Sequence, residues 1–135
     1  MERQTRQRAA ILQAIEEADR PLTPQEIHEG AGRRLPRLGL ATVYRAIRGL
    51  TEDGLLAAVP VPGEPDRYEA AGKPHHHHFY CNACARVFEM HGCPGPLNRL
   101  APSGFEVEGQ EVLLYGRCET CAKKKRPARA RARTS

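Results

Sequence analysis

Two Cys-x-x-Cys pairs constrain the fold of this chain more than any other feature of its sequence. They are Cys81-Asn82-Ala83-Cys84 and Cys118-Glu119-Thr120-Cys121. Four thiolates from two such pairs suit tetrahedral zinc, because soft sulfur ligands match the ion and each pair supplies two corners. The alternatives are two disulfides, which are rare in the cytosol, or a redox pair, which leaves the other pair unexplained. We therefore predict a structural zinc site bound by Cys81, Cys84, Cys118 and Cys121.

The segment around these pairs, residues 74–122, has the pattern of a small β-rich unit. Strand patterns cover residues 75–80, 86–90, 105–107 and 111–115, and a short helical segment falls near residues 97–100. A unit of this size buries too little apolar area to be stable alone. It therefore needs a metal, a partner subunit or both.

Four consecutive histidines, His75, His76, His77 and His78, precede the first cysteine pair. Alternate residues of a strand share a face, so His76 and His78 point one way while His75 and His77 point the other. Two interpretations are open: each pair supplies half of a metal site, or the segment is a polar strand with no ligand role. The nearest carboxylates are Glu69 and Glu89, and the further candidate ligands are His91 and Cys93. For Cys93, a small loop residue is the simpler interpretation.

The first 73 residues have the element order of a winged helix-turn-helix domain. Thr5 is a potential cap for a first helix with an apolar stripe of Ile11, Leu12 and Ile15. The second helix starts with a capping-box pattern, Thr23-Pro24-Gln25-Glu26. A third helix is predicted from Leu40 to Asp53, with Leu40, Val43, Ile47 and Leu50 on its apolar face and Gly54 as its stop. A hairpin of residues 55–61 and 67–70 follows across a turn at 62–66. An ordinary small α+β domain is the alternative.

The positive charge of the chain is concentrated in two segments. Of 21 basic residues, seven lie in residues 123–135, which contain no acid and are predicted to be a disordered tail that either keeps the chain in solution or binds phosphates. The remaining 122 residues carry a net charge of −2. Within them, a stretch free of acids contains Arg33, Arg34, Arg37, Arg45 and Arg48. A basic stripe in an otherwise balanced domain indicates nucleic-acid binding.

Several of these motifs occur together in the order, and close to the spacing, of one known family. They are the segment Gly39-Leu40-Ala41-Thr42-Val43-Tyr44-Arg45, then Arg67-Tyr68-Glu69, the histidines, both cysteine pairs and Leu114-Tyr115-Gly116. Over about residues 3–122 the chain resembles the ferric uptake regulator (Fur) family. The resemblance implies an α+β fold with an N-terminal winged-helix domain, residues 1–73, and a small C-terminal α/β dimerisation domain, residues 74–122. It also implies a homodimeric, metal-dependent repressor of operator DNA, and not an enzyme.

The resemblance also implies roles for individual residues. Glu69, His76, His78 and Glu89 correspond to a regulatory site between the domains for a second divalent ion, Fe²⁺, Mn²⁺ or Zn²⁺. His75 and His77 correspond to half of a further site in the dimerisation domain. The predicted DNA contacts are Thr42, Tyr44, Arg45 and Arg48, with Arg33, Arg34 and Arg37 beside them. Three positions depart from the family pattern: Pro21 and Gln110 replace usual ligands, and Ala85 replaces a glycine.

Two other functions compete with this interpretation. A zinc-ribbon protein associated with RNA or the ribosome would explain the cysteine pairs and the basic tail, but it needs neither a helix-turn-helix nor convergent histidines and carboxylates. A zinc hydrolase needs an open metal and a general base, and no helical His-Glu-x-x-His frame is present. The sequence contains no long apolar segment and no signal-peptide core, so we expect a cytoplasmic protein without a membrane partner.

Overall fold

The computed structural model describes residues 2–124 as three helices and a hairpin followed by a small second sheet. The elements are α1 (Glu2–Ala18), α2 (Pro24–Gly32), α3 (Leu40–Glu52), β1 (Leu56–Val61), β2 (Glu64–Ala70), β3 (His77–Cys81), β4 (Val87–Met90), β5 (Leu113–Gly116) and α4 (Glu119–Ala122), with a 3₁₀ turn at Asn98–Leu100. From residue 125 onward, the predicted basic tail lies outside the described residues. No helix within residues 2–124 has the length and hydrophobicity needed to span a bilayer.

Two of the three predicted helix-end signals are found in the structure. The Thr23 hydroxyl accepts the Glu26 N–H at 3.2 Å, and the Glu26 carboxylate accepts the Thr23 N–H at 2.9 Å, so the predicted capping box of α2 is confirmed. Gly54 follows α3 with φ +79°, a conformation that glycine adopts without strain. The prediction that Thr5 caps α1 is wrong, because the helix already begins at Glu2.

The core of the N-terminal domain lies where the three helices meet. Its largest fully buried side chains include Ile11, Ile27, Val43 and Leu50. The predicted apolar face of α3 is confirmed for Val43, Ile47 and Leu50, whereas Leu40 is 37% exposed because it stands in the first turn, beyond the packed part of the helix. A methyl group on Gly30 would lie only 3.0 Å from Ala14 Cβ, so this glycine lets α1 and α2 approach closely.

The hairpin β1–β2 forms the wing of a winged helix-turn-helix domain. The strands pair antiparallel from Leu56↔Ala70 to Val61↔Glu64, and Gly63 at φ +76° makes the turn. The turn is shorter than predicted, because residues 64–66 belong to β2. Leu22, in the loop before α2, pairs with Tyr68 through two backbone hydrogen bonds of 3.0 and 2.8 Å. The loop between α1 and α2 therefore lies against the wing.

The second sheet has the strand order β4-β3-β5, with β3 antiparallel to β4 and parallel to β5. All three strands start later than predicted, since β3 begins at His77 rather than residue 75, β4 at Val87 rather than 86 and β5 at Leu113 rather than 111. The predicted strand at residues 105–107 is wrong: Phe105 is 70% exposed and the segment pairs with no strand among the described residues. Alternation of apolar and polar residues does not by itself make a strand, because a strand also needs a neighbour that takes its backbone hydrogen bonds, and residues 105–107 pair with none of the described strands.

A second small core joins the wing to this sheet. Val59 and Val61 from β1 pack with Tyr80 and Val87, and the partly buried Leu113 lies against them. The wing and the second sheet therefore share buried apolar area. The domain boundary at residues 73 and 74 stays a prediction.

Candidate metal centres and DNA-binding surface

The two Cys-x-x-Cys pairs form one cluster of four thiols. The end of β3 and the turn after it position Cys81 and Cys84, while α4 carries Cys118 as its N-cap and Cys121 in its last turn. All four sulfur atoms lie within 4.8 Å of one another, and Cys84 Sγ is 4.0 Å from Cys118 Sγ. Tetrahedral zinc with Zn–S bonds of about 2.3 Å needs sulfur separations of about 3.8 Å. The four thiols fit a structural zinc ion.

The surroundings of Cys81 favour its ionised form. Burial raises the pKa of the Cys81 thiol, but the backbone N–H groups of Cys118 and Cys84 approach its sulfur at 3.3 and 3.4 Å and bring the pKa down to about 6. Burial acts without such compensation on Cys121, where it raises the pKa of the thiol to about 12. A zinc ion must therefore displace the proton of Cys121, and its binding is coupled to pH.

A second cluster contains one carboxylate and two imidazoles. Glu69 on β2 is 5% exposed, and its two carboxylate oxygens lie 3.0 Å from His76 Nε2 and 3.2 Å from His78 Nε2. Burial raises the pKa of Glu69, but hydrogen bonding and charge from His78 and His76 outweigh it and lower the pKa. Burial lowers the pKa of His76, and the Pro74 carbonyl and the Glu69 carboxylate raise it overall. The three residues are arranged as potential ligands of one cation.

The structure brings together three of the four residues assigned to this site. Glu89 lies opposite His78 in the β3–β4 ladder, but its carboxylate forms an ion pair with Lys73 and does not join the convergent ligand atoms. Pro21 is buried and has no side-chain donor, so the loop before α2 supplies no ligand at that position. The role of Glu89 stays a prediction.

A third cluster lies at the start of β3. His75 Nε2 is 3.1 Å from His77 Nε2, and Cys93 Sγ is 3.6 Å from the same His77 nitrogen. His77 is 2% exposed, whereas His75 and Cys93 are exposed. His91, the other candidate ligand, is exposed and outside this cluster. The fifth cysteine therefore lies with the histidine pair that points away from Glu69.

The predicted DNA-contacting residues of α3 point away from the core. Tyr44 is 47% exposed, and Arg45 and Arg48 are exposed. Thr42 is half-buried, and its hydroxyl accepts a hydrogen bond of 3.1 Å from Arg45. Arg33 and Arg37 are exposed, whereas Arg34 forms an ion pair of 2.7 Å with Glu17.

The remaining histidine of the N-terminal domain, His28 on α2, is half-buried, and its Nε2 lies 2.8 Å from the Leu38 carbonyl oxygen.

Two arginines on α1 extend this basic surface and were missed by the sequence interpretation. Arg3 and Arg6 line a groove of about 410 Å³ between α1 and the start of α3, together with Arg37 and Thr42. The signal was present, since residues three apart on a helix share a face. Net charge hides this signal, because acidic residues elsewhere in α1 balance the charge of the helix.

A winged helix-turn-helix domain joined to a sheet that carries clusters of metal ligands is typical of DNA-binding regulators that respond to metal ions. Residues 2–114 match the Ferric uptake regulator family, and the chain belongs to that family. It is 30% identical over 129 residues to the ferric uptake regulation protein of Campylobacter jejuni, covering 90% of this chain and 80% of the relative. It is 29% identical over 124 residues to the peroxide operon regulator of Bacillus subtilis, covering 89% and 84%. A solved zinc-bound manganese uptake regulator has the same fold, with a TM-score of 0.73, 23% identity and coverage of 83% of this chain and 87% of that one.

The family membership establishes the general function. Fur-family proteins are DNA-binding dimers and transcription regulators, not enzymes. This protein is a metal-dependent transcriptional regulator of metal uptake or peroxide stress. The zinc-hydrolase and RNA-associated zinc-ribbon alternatives are therefore set aside.

Proposed function

We propose that this protein is a homodimeric repressor that binds double-stranded operator DNA in the cytoplasm when a divalent cation occupies the Glu69–His76–His78 site. The observation that carries the proposal is where these ligands come from. Glu69 belongs to the wing, whereas His78 belongs to β3 of the second sheet and His76 to the segment between them. A cation held by all three residues links the two parts of the chain.

Such a cation acts by shifting a conformational equilibrium. It stabilises one angle between the wing and the second sheet, and in a dimer that angle sets the distance between the two α3 helices. The cation favours DNA binding only to the extent that it binds this arrangement more tightly than the others. Glu69 is hydrogen-bonded to Nε2 of both His76 and His78, so each imidazole must give up any proton on that nitrogen when a cation binds there.

We propose Glu89 as the fourth ligand of this site. Its strand register places it across from His78, and a rotation of its side chain would exchange Lys73 for the cation. Two carboxylates and two imidazoles suit Fe²⁺ or Mn²⁺, and Zn²⁺ also accepts this ligand set. The four-cysteine site would keep its zinc throughout, because four thiolates form a closed site.

On the DNA side, α3 would enter the major groove. Tyr44, Arg45 and Arg48 would reach the groove, while Val43 and Ile47 hold the helix to the core. Arg3, Arg6 and Arg37, beside the start of α3, would contact backbone phosphates. Arg34 would contribute less, because Glu17 already neutralises it.

Metal-dependent DNA binding by the zinc-loaded protein tests the proposal. Binding to duplex operator DNA is measured by gel shift without added metal and with Fe²⁺ under anaerobic conditions, Mn²⁺ or Zn²⁺. We expect at least one of the three ions to increase the affinity for DNA. The increase should disappear in His76→Ala, which retains the fold and the structural zinc, and persist in His91→Ala, a control histidine outside the cluster. An undiminished response in His76→Ala would show that the site is assigned to the wrong residues.

A further inference from the structure

We propose that His75, His77 and Cys93 bind a second zinc-type cation through two imidazoles and a thiolate, at a site separate from the Glu69 site. Neither the proposed regulatory site nor the four-cysteine site uses these three residues. The family resemblance assigns only half of a site to the two histidines, and the residue expected to complete it is replaced by Gln110. In this chain the third ligand comes from the loop after β4.

The ligand atoms already have nearly the separations of a tetrahedral site. Zinc with Zn–N bonds of about 2.0–2.1 Å and Zn–S bonds of about 2.3 Å places two nitrogens about 3.3 Å apart and a nitrogen and a sulfur about 3.6 Å apart. The observed separations are 3.1 Å between His75 Nε2 and His77 Nε2, and 3.6 Å between His77 Nε2 and Cys93 Sγ. All three ligand atoms lie within 4.8 Å of one another. These two separations need to change by only a few tenths of an ångström when the ion binds.

Gln110 holds the loop that carries Cys93. Its Oε1 accepts the Leu97 N–H at 2.8 Å, and its Nε2 donates to the Gly95 carbonyl at 2.8 Å. Both partners follow Cys93 by only a few residues, and one amide side chain therefore fixes the far end of this loop. We assign Gln110 as a positioning residue, because it acts on the loop and not on the ion.

One backbone hydrogen bond shows which nitrogen of the His77 ring carries the proton. The Val112 N–H donates to His77 Nδ1 at 3.2 Å, so the neutral ring carries its proton on Nε2. A cation at Nε2 takes the place of that proton, and the neutral ring bound through Nε2 carries its proton on Nδ1. The Val112 N–H must then turn away from a nitrogen that no longer accepts. The chemical shift of the Val112 amide is therefore a second indicator of binding.

The donor set separates this site from the Glu69 site. His75 and His77 lie on the opposite side of β3 from His76 and His78, so the two sites share no ligand. Two nitrogens with one thiolate select a softer ion, such as zinc, than carboxylates with imidazoles do. Three protein ligands leave the fourth position of a tetrahedral ion to water or to a further side chain.

Cobalt(II) on the zinc-loaded protein tests this proposal. A thiolate bound to cobalt gives a sulfur-to-metal charge-transfer band, whereas oxygen and nitrogen ligands do not. Zinc content is measured after the titration, to confirm that cobalt has not replaced zinc in the four-cysteine site. We expect the band in the wild-type protein and its loss in Cys93→Ser. We expect His75→Ala and Gln110→Ala to weaken cobalt binding about tenfold or more, and His76→Ala to leave the band unchanged.

The intact protein provides a measurement that does not depend on a variant. Added Zn²⁺ should slow alkylation of Cys93, located by mass spectrometry, and should shift the Val112 amide signal. Absence of the charge-transfer band at saturating cobalt, or an alkylation rate of Cys93 that Zn²⁺ leaves unchanged, would overturn the proposal. Loss of the band in His76→Ala as well would overturn the separation of the two sites. These results are independent of operator binding, so the proposed repressor function can fail while this site stands.

Discussion

The guanidinium group of Arg67 donates a hydrogen bond of 2.6 Å to the carbonyl oxygen of Ala85. Arg67 lies on the wing, whereas Ala85 directly follows Cys84 of the first zinc pair. The arginine is 3% exposed, donates also to the Pro65 carbonyl at 2.8 Å, and makes a cation–π contact with the Tyr80 ring, 5.6 Å from its centre. One buried side chain therefore connects the DNA-binding domain directly to the zinc turn.

This connection predicts that Arg67→Lys destabilises the zinc-loaded protein. A single ammonium group cannot bond both carbonyls in the geometry of the guanidinium, and it changes the cation–π contact with Tyr80. We expect a decrease of about 1.5–3 kcal/mol in the free energy of unfolding, the range for hydrogen bonds to charged groups, measured by urea denaturation. Arg86→Lys is the matched control, because Arg86 is exposed beside the same turn. Equal stabilities for the two variants would mean that Arg67 contributes nothing specific.

Ala85 also has an unfavourable backbone conformation. Its φ of +63° lies in the left-handed region, which costs a residue with a Cβ roughly 1–2 kcal/mol and costs glycine little. We therefore expect Ala85→Gly to stabilise the zinc-loaded protein by up to about 1 kcal/mol in thermal or urea unfolding. The same change at Ala83, which has no positive φ, should not stabilise the protein. A destabilised Ala85→Gly variant would indicate that the extra backbone entropy of glycine in the unfolded chain outweighs the strain that the substitution relieves.

The bound zinc should be necessary for the second sheet to form a stable dimer. Cys118→Ser removes one of four ligands, and Cys118 also supplies a backbone N–H to Cys81 in the same site. We expect the variant to lose its zinc, about one ion per chain in the wild type, and to dissociate into monomers, measured by metal analysis and analytical ultracentrifugation. Cys93→Ser, outside the four-cysteine cluster, should retain both the zinc and the dimer. A folded, zinc-free dimer of Cys118→Ser would contradict this role of the metal.

How far the sequence predicted these features depends on the range of the interactions involved. The Thr23–Glu26 capping box and the Gly54 stop are local, so their residues alone specify them. The spacing of the cysteines limited their chemistry to very few possibilities, and the four thiols do converge. Residues 105–107 were misassigned because alternation does not show whether a neighbouring strand is available. The Lys73–Glu89 ion pair and the approach of Cys93 to His77 depend on loop paths that periodicity does not describe.

The capping box of α2 gives a dependence of stability on pH. Burial raises the pKa of Glu26, but the Thr23 N–H and the Arg20 guanidinium bring it below the ordinary value of 4.5. A lowered pKa in the folded state adds stability above the unfolded-state pKa, and this stability is lost as pH falls through the folded-state pKa. We expect Glu26→Gln to lose roughly 0.3–1 kcal/mol at neutral pH, because its amide still accepts the Thr23 N–H but carries no charge beside Arg20 and the helix N-terminus. The difference from wild type should shrink below about pH 4.5, whereas a constant difference would exclude a contribution from the ionised carboxylate.

The arginines near α3 should differ in what they contribute to DNA binding. Arg45 lies on the exposed face of α3, whereas Arg3 and Arg37 line the groove beside it. We expect Arg45→Ala to cost roughly 1–3 kcal/mol of binding free energy and to relax preference at one position of each half-site, if Arg45 contacts a base edge. Arg3→Gln and Arg37→Gln should weaken binding to all sequences alike. Each should also reduce the slope of log affinity against log salt, by about 0.9 for every phosphate that the protein no longer neutralises.

Arg34→Gln is the matched control for these substitutions, because it removes the same charge from an arginine that Glu17 already pairs at 2.7 Å. A smaller change in salt slope than for Arg37→Gln is expected, since a cation that is already paired with a carboxylate neutralises less phosphate charge. The measurement is fluorescence anisotropy with specific and scrambled duplexes over a range of salt concentrations. If Arg34→Gln and Arg37→Gln change the slope equally, the ion pair with Glu17 does not persist on DNA. Both arginines would then contact phosphates, and the basic surface would extend from α1 across the end of α2.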